Sequence, residues 1–110
     1  MESKNKMIEL FLEIFIIGFG VIAMALLYRH NIFLTLLLAA GAAFEILLWH
    51  KRKDILAFVV AAVVGPLAEM LNIYFGNWHY SNPSFFGIPM WLPLVWGISM
   101  LTIKRIAETI

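Results

Sequence analysis

The chain has no cysteine, so disulfides, thiol catalysis and thiolate metal sites are excluded. Charge is scarce: 14% of the residues are Asp, Glu, Lys or Arg, while 63% are hydrophobic, and mean hydropathy is +0.90. That balance is wrong for a soluble domain of this length and points to an integral membrane protein. Phosphate loops, nucleophile motifs and nucleic-acid signatures are missing as well, so no nucleic-acid partner is expected. The three histidines, His30, His50 and His79, do not share a ligand spacing, and neither a metal nor a cofactor is expected.

What is present is a set of long apolar stretches: 7–28, 32–49, 55–75 and about 85–103. Each approaches the ~20 residues that cross ~30 Å of hydrocarbon at ~1.5 Å per residue. The connections Arg29–Asn31 and His50–Asp54 leave room only for tight turns; Gly76–Ser84 leaves room for irregular structure. The expectation is a single transmembrane domain over residues 1–110: an all-α, integral membrane four-helix bundle. An N-terminus in the cytoplasm puts Lys4, Lys6, Lys51, Arg52, Lys53, Lys104 and Arg105 on that side and only Arg29 outside. The positive-inside rule therefore places both termini in the cytoplasm of a multi-pass cell-membrane protein. The first stretch has the flanks of a signal peptide, with Ala23-Met24-Ala25 as a cleavage site, but Glu9 and Glu13 interrupt its apolar run.

Those glutamates belong to the main puzzle. Four of the seven acidic residues, Glu9, Glu13, Glu45 and Glu69, lie inside the apolar stretches, and the lysines and arginines lie outside them. A carboxylate in hydrocarbon must protonate, pair, bind a cation or line a wet cavity. In the third stretch Ala57, Ala61, Gly65 and Glu69 recur every four residues, so they share a helix face whose small residues permit close packing. Asn72 lies three residues on, within reach of Glu69, and Pro66 frees the carbonyl of Ala62. Glu45 follows Gly41 and Ala42 at helical spacing, and Glu9 and Glu13 share a face with Ile16 and Gly20. Depth separates them into an inner cluster of Glu9, Glu13 and Glu45 and a lone outer Glu69. Clustered carboxylates in low dielectric cannot all ionise, so the cluster is expected to hold a proton, with Glu13 and Glu45 as proton or cation sites.

From Tyr74 to Trp96 the chain reads YFGNWHYSNPSFFGIPMWLPLVW, with eight of the sixteen aromatic residues and three of the four prolines. An interfacial belt accounts for Trp78 and Phe85. His79, Asn77 and Asn82, without a Lys or Arg, suit a covered pocket better. Pro89 is expected to open the last helix and Pro93 to kink it. Glu69, Asn72, His79 and Tyr80 would converge at this outer mouth, with Trp91 and Trp96 as apolar walls.

The residues Glu69…Gly76-Asn77-Trp78-His79-Tyr80…Asn82-Pro83…Gly87-Ile88-Pro89…Leu92-Pro93-Leu94 resemble the membrane carotenoid-modifying proteins, the lycopene cyclase domains and carotenoid hydratases. The resemblance covers residues 69–94 and implies that Glu69 matches the acid preceding the loop. The chain departs where the cyclases carry paired glutamates, having Val95 and Trp96 there. Three functions follow as expectations. One is acid–base chemistry on, or binding of, an apolar isoprenoid-like lipid, with Glu69 and His79 catalytic and Asn72, Trp78, Tyr80, Trp91 and Trp96 binding. The second is proton or cation translocation by a homo- or hetero-oligomer. The third is a non-catalytic membrane subunit.

Overall fold

A computed structural model describes residues 2–110 of the chain, with side chains from Asn5 onward; Lys4, counted above among the inner cations, lies outside the described side chains. The chain is all-helical. Its four helices are α1 (Glu2–Leu27), α2 (Asn31–Leu48), α3 (Arg52–Tyr74) and α4 (Leu92–Thr109). Within these, Asn5–Leu27, Asn31–Leu48 and Arg52–Tyr74 are long and apolar enough to cross a membrane. Their outward faces carry large apolar side chains such as Phe11, Leu26, Leu36, Leu47 and Leu67, each more than half exposed. The long axis of the molecule is 50 Å.

The last helix differs from the 85–103 expected. It starts seven residues later and continues to Thr109, and its apolar part, residues 92–103, rises only ~18 Å. Lys104, Arg105 and Glu108 occupy its final turns, so it is not as apolar as the other three. It is not kinked by Pro93 either. Pro93 falls in the first turn, where its missing N–H has no intrahelical partner to lose, so the helix is undisturbed. Pro89 lies before the helix, its carbonyl accepting the Leu92 N–H at 3.1 Å.

Chain order does not set the packing. α4 packs on all three other helices, most extensively on α3, and α1 packs on α2. Consecutive α2 and α3 are thus separated by the last helix. The α3–α4 seam is reciprocal. A Cβ on Gly65 would sit 2.1 Å from the Trp96 ring, and one on Gly97 would sit 2.7 Å from the Phe58 ring. Each glycine makes room for the aromatic of the other helix, and Ala61 and Gly65 on the small-residue face of α3 are buried there.

Between α3 and α4 the connection folds back over the end of the bundle opposite the chain termini, the outer end of the expected topology. Ser84 and Phe85 N–H groups donate to the Ile88 carbonyl around a tight turn. Gly87 (φ 83°) supplies one left-handed residue of that turn and Phe86 (φ 47°) the other. The turn drives Ile88 and Pro89 into full burial. Asn31, at the start of α2, fixes it: its Nδ2 donates to the Asn82 carbonyl (2.9 Å) and Ser84 Oγ (3.2 Å), and its Oδ1 accepts the Trp91 indole N–H (3.1 Å).

Candidate functional site

The outer site is built around Glu69, a half-buried residue on the α3 face toward α4. Tyr80 donates its hydroxyl to Oε1, and the Trp96 indole N–H donates to Oε2. An indole N–H can only donate, so Oε2 acts as an acceptor, and any proton on this carboxyl faces Tyr80. Burial pushes the Tyr80 phenol above its ordinary ionisation range, and the hydrogen bond to Glu69 and its charge push the same way. Tyr80 therefore stays a donor at pH values where a free phenol (about 10) ionises.

Two cavities flank this carboxyl. On the Trp96 side is an apolar groove of about 530 Å³ between α3 and α4. Leu56, Val60, Val64, Ala68, Trp96 and Met100 line it, and Lys53 and Lys104 stand at its inner end. On the Tyr80 side a smaller cavity of about 280 Å³ is lined by Met24, Tyr28, Asn82, Pro89 and Trp91.

Of the expected outer residues, Glu69, Tyr80 and Trp96 come together. Asn72 pairs elsewhere, donating to the Ala68 carbonyl (2.9 Å) and accepting from Asn77 Nδ2 (2.7 Å). Its position one turn beyond Glu69 turns it toward the loop. His79 and Trp78 are exposed in the connection. Trp91 is only 3% exposed; it is held by Asn31 and meets Tyr80 edge-on, so it packs the core and does not wall the groove.

At the inner end the structure corrects the expectation that the acids lack a cation. Because α4 continues past residue 103, Lys104 and Arg105 reach into the layer of carboxyls. Lys104 Nζ bonds Asp54 Oδ1 at 2.6 Å and Glu108 at 3.0 Å. The Arg105 guanidinium lies 3.5 Å from Glu9, 3.8 Å from Glu13 and 3.9 Å from Asp54, over the Trp49 ring. Thr109 donates to Glu13 at 2.8 Å, and the Thr102 hydroxyl is hydrogen-bonded to Glu45. Glu13, Glu45 and Asp54 are completely buried. Asp54, Thr102, Arg105, Thr109 and Asn31 escaped the reading of the sequence. The signal was the polar stripe Thr102, Arg105, Thr109 at helical spacing, visible only if the last helix continues beyond its apolar part. Among the described residues no group of three or more His, Asp and Glu side chains is arranged to hold a metal ion.

Comparison with models of protein families, with curated proteins and with solved structures finds no match to this chain. The two sites must therefore be interpreted from their chemistry.

Proposed function

We propose that this chain is a multi-pass cell-membrane protein, with both termini cytoplasmic, that binds an apolar isoprenoid-like lipid along the α3–α4 groove. The observation that carries this reading is Trp96: its ring walls the groove while its N–H holds Glu69. One residue thus joins an apolar slot to an acid at its side. The groove volume falls in the range of small-molecule sites, and its lining is apolar along its length, with lysines at one end only. Cation–π contact with Trp96 would favour a cation developing on a bound polyene. Any acid–base step would use the Glu69 carboxyl, which the Trp96 indole holds beside the groove while Tyr80 fixes it from the other side. The resemblance of residues 69–94 to carotenoid-modifying proteins supports the same substrate class.

The lipid reading is tested by extracting the protein purified from an isoprenoid-producing host and analysing the extract by mass spectrometry. Wild type should retain an isoprenoid. Val60→Trp, which fills the groove from its lipid-exposed side, should retain several-fold less; equal retention would refute the site. Glu69→Gln should abolish any conversion of that lipid, whereas Glu13→Gln should not. The orientation is tested with single cysteines in this cysteine-free chain. His30→Cys should react with an impermeant maleimide from outside the cell and Lys51→Cys only after lysis; the reverse pattern would invert the topology.

A further inference from the structure

We propose that the inner polar layer is a proton-binding site, in which one exchangeable proton sits between Glu45 and Thr102. This does not depend on the lipid reading. The charged groups of the layer come from all four helices: Glu9 and Glu13 from α1, Glu45 from α2, Asp54 from α3, and Lys104, Arg105 and Glu108 from α4. The Glu9 and Glu108 side chains are 41% and 52% exposed and are balanced by solvent. Glu13, Glu45 and Asp54 have no exposure, and among the described residues Lys104 and Arg105 are the cations that reach the layer. Lys104 serves Asp54, and Arg105 lies between Glu13 and Asp54. Three buried carboxyls facing two cations leave one negative charge without a counterion, at Glu45. An isolated carboxylate in such surroundings is too costly to persist.

Hydroxyl geometry is compatible with this. Thr102 stands between Glu45 and a helix carbonyl as Thr109 stands between Glu13 and the Arg105 carbonyl, and the charge count selects Glu45 of the two. Thr102 Oγ1 lies 2.7 Å from the Ile98 carbonyl and also within bonding distance of Glu45 Oε2. A hydroxyl carries one hydrogen, so Thr102 donates it either to the intrahelical Ile98 carbonyl or to Glu45. With the Thr102 hydrogen on Ile98, the hydrogen shared with Glu45 must come from the carboxyl. A neutral Glu45 satisfies both contacts.

The layer is also built to exchange that proton. Glu9 Oε2, Glu13 Oε1, Glu45 Oε1, Asp54 Oδ2 and Arg105 Nε are buried without a hydrogen-bond partner. The gaps of 3.5–3.9 Å around Arg105 are distances that water bridges. Such waters would connect Glu45 to the half-exposed Glu9 and Glu108 at the inner end. Toward the outer end, Leu34, Leu38, Ile88 and Ile98 belong to one buried apolar cluster. The proton therefore enters and leaves from one side.

Infrared spectroscopy of the full-length protein in liposomes tests this. At neutral pH the wild type should show a carboxylic-acid C=O band that shifts on exchange into heavy water. Glu45→Gln should remove it and Glu13→Gln should not. If Glu45→Gln fails to fold, Thr102→Val reads the same group, because losing the hydroxyl should shift the band, whereas Thr102→Ser should leave it in place. A wild type without the band, a band that survives Glu45→Gln, or a band lost when sodium replaces potassium at constant pH would each overturn the proposal, the last by showing a metal cation in the proton's place.

Discussion

Lys104→Met is expected to destabilise the protein by about 3–5 kcal/mol, the cost of leaving one partner of a buried ion pair unpaired. Asp54 is completely buried and Lys104 is its closest contact, at 2.6 Å. Its second oxygen has no hydrogen bond, and Arg105 stands 3.9 Å away. Removing the ammonium thus leaves a buried carboxylate with Arg105 alone, at 3.9 Å and shared with Glu9 and Glu13. The double variant Lys104→Met/Asp54→Leu should recover most of the loss, because it removes the stranded charge together with its partner. Equilibrium unfolding in mixed micelles measures both. A loss below about 1 kcal/mol for the single variant would mean the pair behaves as a surface salt bridge, open to water.

The second large effect is a contrast between glycines. Gly65→Ala places a methyl group 2.1 Å from the Trp96 ring, and the crossing of α3 and α4 must open to accommodate it. Overpacking of that kind costs about 1–3 kcal/mol. Gly41→Ala meets nothing within 4 Å; it should be neutral, or stabilising by up to ~1 kcal/mol from helix propensity. Both residues lie mid-helix in apolar runs, so only the neighbouring helix distinguishes them. Gly65→Ala should also disturb the Trp96–Glu69 hydrogen bond, visible as altered tryptophan fluorescence, and Trp96→Phe in the same chain should relieve part of the cost. Equal stability of the two alanine variants would refute the close approach of α3 to α4.

Hydropathy made the first three helices legible to within a few residues, because each is a continuous apolar run ending at charged or turn residues. The spacing of Ala57, Ala61, Gly65 and Glu69 likewise revealed a packing face before its partner was known. The fourth helix was misjudged for a physical reason. Apolarity fails at Lys104, but helicity does not, since Lys104 and Arg105 are good helix formers and carboxyls on α1 and α3 receive them. The outer site was legible in part. An intramembrane acid followed by an aromatic loop pointed to Glu69 with Tyr80 and Trp96. Trp91 and Asn72 could not be placed the same way, because their directions depend on where a proline-rich loop enters α4. Asn31 left no trace in the sequence, as a single asparagine in a turn says nothing of a partner fifty residues away.

The position of α4 also sets an order for biogenesis. In the proposed membrane arrangement, α1 and α2 can associate as soon as both are in the bilayer, since they pack on each other. α3 packs mainly on α4, which leaves the ribosome after it. Its glycine and alanine face must wait in lipid until then, stable as a single helix but without the contact that places it. These four helices therefore come together only when α4 arrives, which brings Trp96 to Gly65, Tyr80's loop to Glu69 and Lys104 to Asp54.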